Sequence, residues 1–261
     1  MSRTPTEVAD AVSEVFRGVF DELAAWRTPI EQLLAASVSA AGAVGAAGST
    51  SGAGAARGEV RPATLDATVA DLVLPRLEEA DPMLVGAGFI ADGEVVRGKG
   101  VHFAWWLGPL DDNPVLGSTD GPTRLDLSTR GYTEYLRDFR ALEWYRIPAT
   151  TRHAHVTGPY VDHLCTCDYI LTLTMPVHDA DGERMVGVVG ADVAVRTLER
   201  ALLATFLDVD EPLALVNEHG RVVLSTEPAL QVGQLAGPGA ETVPCAGTPF
   251  AVRVRPAASG S

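Results

Sequence analysis

Positive charge is scarce in this chain. Lys and Arg number 20 against 34 Asp and Glu, a formal net charge of -14. A surface that acidic repels phosphate backbones and anionic headgroups, which argues against direct nucleic-acid or membrane-surface binding. Cysteine is also sparse. Cys165, Cys167 and Cys245 are too few and too oddly placed for a disulfide framework, and Cys165-Thr166-Cys167 is a C-x-C with no second pair to complete a zinc site. Long runs of bulky apolar residues are missing. The most apolar stretch, residues 33–56, is dominated by Ala, Gly and Ser and lacks the bulk of a spanning helix. Residues 1–10 hold no basic segment followed by an apolar core, so a cytoplasmic protein is expected. There is no G-x-S-x-G, no P-loop, no H-E-x-x-H and no G-x-G-x-x-G opening a helix. The expectation is a protein that is not an enzyme and needs no cofactor.

What is present starts with helix. The chain is 46% hydrophobic, enough for one large domain or a domain plus a small module. Val8, Val12, Val15, Phe16, Val19, Leu23, Trp26, Ile30 and Leu33 recur at spacings of three and four and make one apolar stripe over residues 1–41. Thr4-Pro5-Thr6-Glu7 supplies a cap, a first-turn Pro and a capping-box Glu. Thr28-Pro29-Ile30-Glu31 repeats that signal, so a second helix starts there or a long helix kinks. The stripe needs cover, either the chain's own sheet or a second copy in a homodimer. Residues 42–60 open on low-complexity Gly, Ala and Ser and read as a flexible linker. Helical spacing resumes at Leu65, Val69, Leu72 and Leu77 and stops before Asp81-Pro82.

The pattern then turns to strands. Short apolar runs at 83–90 and 101–107 flank a Gly-rich turn. Residues 111–130 are polar and turn-rich, and 132–144 read as a short helix and its exit. Further strands are expected at 155–164, 169–177 and 185–195, a helix at 197–207, a hairpin over 213–225 and a last strand at 250–254. Strands and helices do not alternate, so the class is α+β with an antiparallel meander rather than a doubly wound parallel sheet.

Six segments carry a resemblance: 86–90, Trp105-Trp106, Leu142-Glu143-Trp144-Tyr145, Thr157-Gly158-Pro159-Tyr160-Val161-Asp162, 171–177 and 187–193. In this order they resemble the Cache family of PAS-like (PDC) sensor domains, over roughly residues 5–205. The resemblance implies a long N-terminal helix, a curved antiparallel sheet over 61–207 with a ligand pocket on one face, and a small, truncated second module over 208–261. It also implies that Asp192, with Tyr160 and Asp162, takes the amine of a ligand. Leu142 stands two residues before Trp144, where amino-acid-sensing relatives often carry Arg, so carboxylate recognition is not implied. The output would lie in a partner chain, a transcription regulator or another output protein.

The residues read alone lead to the same place. Asp192 sits in the apolar run Val186-Gly187-Val188-Val189-Gly190-Ala191-Asp192-Val193, where a bare carboxylate is costly. It is either satisfied by backbone N–H groups or faces a cation. Trp105, Trp106, Trp144, Tyr145 and Tyr160 gather in short windows, and aromatic faces attract ammonium groups. Alternation puts Trp105 and Trp106 on opposite sheet faces. Trp106 is taken as the pocket wall, with Trp144 and Tyr145. The function expected is a sensor for an amine-bearing small molecule: an amino acid, a polyamine or a quaternary amine. The alternative is an enzyme or metal protein built on Cys165, Asp162 and His163.

Overall fold

The structure is a computed structural model that describes residues 2–46, 59–113, 117–125, 138–162, 166, 168–237 and 241–255. Its N-terminal helix α1 (Pro5–Ala46) begins at the expected capping box. The Thr4 N–H and hydroxyl donate to Glu7 Oε2 at 2.7 and 2.9 Å, and the Glu7 N–H returns to Thr4 Oγ1 at 3.3 Å. Pro29 lies inside this single helix. Pro removes one backbone donor there, yet Trp26, Ile30 and Leu34 are buried on either side of it, and the helix runs through. Residues 42–46, expected as linker, are helical, and 47–58 lie outside the described residues.

The stripe on α1 is covered by the chain itself. Val8, Val12, Leu23 and Ile30 have no exposed surface, and α1 packs on both sheets and on the second helix. Val15 and Leu33 of the stripe are partly buried against the same core. Helix α2 (Pro62–Leu77) buries Leu65, Val69, Val73 and Leu77 beside it.

The main sheet has the order β5-β2-β1-β8-β7-β6. It comprises β1 (Leu84–Val96), β2 (Lys99–Leu107), β5 (Thr123–Arg124), β6 (His155–Val161), β7 (Tyr169–His178) and β8 (Met185–Ala194), every neighbouring pair antiparallel. Strands β3 (Leu110–Asn113) and β4 (Gly117–Thr119) form a separate ribbon. Strand periodicity divides the side chains between two faces. Ala87, Phe89, Ala104, Trp106, Leu171, Leu173, Ala191 and Val193 face α1 and α2 in the main core. Ile90, Trp105, Leu107 and Val188 face the other way, under a cap made by the 3₁₀ turn Phe139–Ala141 and helix α3 (Glu143–Thr151). The helix expected at 132–144 thus falls later along the chain. Its start follows Leu142, whose extended backbone ends the 3₁₀ turn, and residues 126–137 lie outside the described set.

Helix α4 (Val195–Leu207) leads to a four-stranded sheet of order β10-β9-β12-β11. These are β9 (Leu213–Asn217), β10 (Val222–Ser225), β11 (Glu241–Pro244) and β12 (Phe250–Val254). β11 has no apolar signature because it is an exposed edge strand ending in Pro. The architecture is α+β, as expected. α1 joins the two modules, with Phe16 meeting Phe250 at a ring separation of 5.0 Å. Phe16→Ala should lower unfolding stability by about 3–5 kcal/mol, as for other buried Phe deletions, read as a fall in the urea midpoint. A loss below about 1 kcal/mol would mean that helix and second sheet do not share a core.

Candidate functional site

The face of the main sheet turned away from α1 and α2 is floored by glycines around one acid. Asp192 on β8 pairs with Gly86 on β1 and Thr172 on β7. It is 7% exposed. The Thr172 hydroxyl donates to Asp192 Oδ1 at 2.6 Å, and the Tyr160 hydroxyl stands 2.6 Å from Thr172 Oγ1. Thr172 has one proton and gives it to the carboxylate, so Tyr160 donates to Thr172. A Cβ on Gly86 would lie 3.1 Å from Trp105 Nε1 and 3.2 Å from Asp192 Oδ2. One on Gly190 would lie 3.4 Å from the Trp105 ring. Glycine at these positions lets the indole and the carboxylate converge over bare backbone.

Among the described residues, no cation stands beside Asp192. Burial pushes its pKa up to about 8, the negative field of Asp162 adds to the rise, and the Thr172 hydrogen bond opposes it. The empty protein therefore holds a proton on this carboxyl at neutral pH. Asp162 is also buried, and its Oδ2 accepts the Thr166 N–H at 2.9 Å and the Thr166 hydroxyl at 3.2 Å. Of the alternative metal or nucleophile set, Asp162 is described, whereas His163, Cys165 and Cys167 lie outside the described residues.

Asp92, on the same face of β1, is the counterexample. Burial raises its pKa too, but hydrogen bonds from Arg140 and Tyr145 outweigh that and hold it below the ordinary carboxylate range. Arg140 Nε donates at 2.7 Å, a second Arg140 N–H reaches Oδ1, and the Tyr145 hydroxyl donates at 2.5 Å. Tyr145, expected as a pocket wall, thus locks α3 and the preceding turn to β1. Trp144 is half-buried beside it, and its carbonyl accepts the Thr174 hydroxyl at 2.7 Å.

The choice between the two tryptophans is corrected. Trp106 belongs to the core on the α1 side, and Trp105 is the indole on the face of Asp192. Two residues that sequence reasoning missed stand on β6. Thr157 is 8% exposed, and its hydroxyl is buried without a partner among the described residues. His155 Nε2 lies 2.9 Å from Glu143 Oε1. A cleft of about 620 Å³ opens along this strand, bounded by Trp144, Thr157, Tyr160 and Asp162 on one side and by the second module on the other.

The raised carboxyl has a signature in the protein without ligand. Folding retains a proton on Asp192 that the unfolded chain releases, so this residue contributes most below its unfolded pKa of about 3.9. Its contribution declines as pH rises to about 8. Urea unfolding across this range should show Asp192→Asn gaining on wild type as pH rises. A constant or shrinking difference would mean that backbone donors already satisfy the carboxylate.

Residues 123–200 match the family model for the first PDC sensor domain of methyl-accepting chemotaxis protein-like receptors. Nearly the whole chain is similar to the ligand-binding domain of the Pseudomonas aeruginosa PAO1 amino acid chemoreceptor PctC, solved in complex with GABA. The TM-score is 0.55 at 17% identity, over 96% of this chain and 95% of that one. The PctB domain from the same organism, in complex with L-Arg, gives 0.53 at 13% identity over 95% and 91%. The periplasmic sensory domain of the Campylobacter jejuni chemoreceptor Tlp1 gives 0.53 at 12% identity over 88% and 72%. No curated protein matches the chain. At these identities the structures show a shared fold. The cytoplasmic placement is corrected: the matched receptor family and the periplasmic neighbour point to the outside of the cytoplasm. The cytoplasmic expectation rests only on the composition of residues 1–10 and 33–56.

Proposed function

We propose that this chain, a Cache-type (PDC) sensor domain, binds a small amine-bearing ligand at Asp192 and passes the event to a separate output protein. The observation that carries the reading is the buried carboxyl of Asp192, which stands over glycine backbone with no cation beside it among the described residues. An ammonium group supplies what that site lacks. The ligands named for PctC and PctB, GABA and L-Arg, both carry an amine, in agreement with this reading.

In this reading Asp192 takes the ammonium as a charge-assisted contact. Tyr160, through Thr172, and Asp162 shape the field around it, while Trp105 and Trp144 form walls whose faces add about 0.5–2 kcal/mol each by cation–π attraction. Amino acids, polyamines and quaternary amines fit this chemistry. The domain binds and does not catalyse. The response is a shift between two populated arrangements of the domain, biased by the arrangement that holds ligand better. The raised pKa adds a condition. The incoming cation requires the ionised carboxylate, so binding expels a proton, and affinity rises with pH up to about 8.

A thermal-shift screen over amino acids, polyamines and quaternary amines should find a stabilising ligand, worth about 2.7 kcal/mol at a hundred times its Kd. In calorimetry Asp192→Asn should bind that ligand at least tenfold more weakly, since a charge-assisted contact is worth about 1.5–3 kcal/mol. A well-folded Asp192→Asn protein with undiminished affinity would remove Asp192 from the site.

A further inference from the structure

A second groove, of about 630 Å³, runs where the turn between β7 and β8 meets α1. Its lining includes Arg27 and Glu31 of α1, Arg152 just after α3, His178 at the end of β7, and Asp179 and Asp181 of the turn. Asp192 and its hydroxyl partners take no part in it. The register of β7 on β8 slips between Val177 and His178. Such a slip breaks the alternation of faces and re-aims a side chain. Val177 lies in the main core, and His178 after it lines the groove. The Nε2 atom of His178 is buried and has no hydrogen-bond partner among the described residues.

The charged groups around this ring come from each element that meets there, and they are committed to one another. On α1, Arg27 Nε lies 3.7 Å from Glu31 Oε1, and that nitrogen is itself buried without a hydrogen bond among the described residues. Arg152 donates to the carbonyls of Gly182 and Glu183, the latter at 3.1 Å, and so clasps the turn. Its backbone is left-handed, with φ 62°, a conformation that favours glycine. In the turn, Arg184 pairs with Asp179 at 3.6 Å, and Asp179 Oδ1 accepts the N–H groups of Glu183 and Arg184 at 3.1 Å each. Burial, and then the fields of Arg152 and Arg27, hold the pKa of His178 below its ordinary value. The fields of Glu31 and Asp179 oppose this and are outweighed.

We propose that His178 is an acid-sensitive latch between α1 and the β7–β8 turn, which gives the domain a second input, the acidity of the surrounding solution, independent of the Asp192 site. The neutral ring suits its place, because it carries one N–H and Nε2 can be the bare nitrogen. Protonation puts a hydrogen on both nitrogens. Nε2 then bears a donor with no acceptor, on a cation that shares the groove with two guanidinium groups. Arg152 cannot withdraw without releasing the turn, and Arg27 belongs to α1 itself. Parting the turn from α1 relieves the charge by admitting water to the ring. The unfolded chain holds this proton more tightly than the folded one, so stability falls as pH drops below the unfolded value of about 6.5. Asp192 acts in the opposite direction, its contribution growing as pH falls below about 8.

The test measures urea midpoints of the full chain from about pH 7.5 to about pH 5, the range over which a histidine changes charge. Wild type is compared with His178→Gln, and the pair is repeated in an Asp192→Asn background to remove the opposing slope. His178→Gln stays neutral throughout and should gain on the parent as pH falls below about 6.5, equally in both backgrounds. Amide exchange, corrected for intrinsic rates, locates the change. Protection over residues 27–35 and 178–184 should drop in acid in wild type and hold in His178→Gln. Proton NMR of the His178 ring in wild type needs no folded variant, and its midpoint should lie below about 6.5. A difference between the proteins that does not vary with pH would reduce His178 to a packing role and overturn the latch. So would a ring midpoint at or above the ordinary value, or acid exchange that leaves both segments protected.

Discussion

A carboxyl buried with no cation beside it among the described residues is the constraint around which this protein is arranged. Asp192 occupies a central strand of an apolar sheet, flanked by β1 and β7, with one hydroxyl to bond it. Desolvation of an ion that deep costs several kcal/mol when nothing offsets it, and the residue responds by keeping its proton to about pH 8. Asp92, on the same face, shows that burial alone does not decide the outcome. Arg140 and Tyr145 reach it, and its pKa falls. The two acids differ in what neighbouring chain supplies. One is a completed internal lock, which fastens α3 over the sheet. The other has a single hydroxyl, that of Thr172, and no cation beside it among the described residues.

The rest of the architecture positions what surrounds that site. Glycine at 86 lets the Trp105 indole and the Asp192 carboxyl close over bare backbone, and α3, pinned by the Asp92 lock, sets Trp144 beside the cleft. The long helix binds both sheets into one core through residues such as Phe16, so the second module stands at a defined place relative to β6. Asn217 then fixes the local approach by donating to the Gly158 carbonyl on β6. The cleft is lined by residues of both modules, and both modules pack on the same long helix.

Much of this was readable from residue order. The capping box of α1 and its apolar stripe follow from periods that packing enforces on any amphipathic helix. Asp192 stood out because an acid inside Val and Gly residues needs a reason, and Tyr160 is indeed linked to it through Thr172. What escaped depends on register and on distance along the chain. Alternation separated Trp105 from Trp106, but only the pairing of β2 with β1 decides which of them shares the face of Asp192. Thr157 has no signature in sequence, because its distinction is a hydroxyl left without a partner in the fold. Arg221, which lines the cleft from the second module, lies far from Asp162 along the chain, and nothing local in its pattern brings the two to one cleft. Tyr145 fitted an aromatic wall by composition, whereas its hydroxyl is spent on Asp92. The covering of the α1 stripe could not be chosen by periodicity either, since a sheet of the same chain and a second copy present equivalent apolar surface.

The most direct test is a carbon-13 NMR titration of the Asp192 side-chain carboxyl, assigned by the signal that Asp192→Asn lacks, with and without a saturating amine ligand. The account predicts a midpoint near pH 8 in the empty protein and a marked fall when the ammonium is bound. A midpoint in the ordinary carboxylate range without ligand, or one that ligand leaves unmoved, would contradict it.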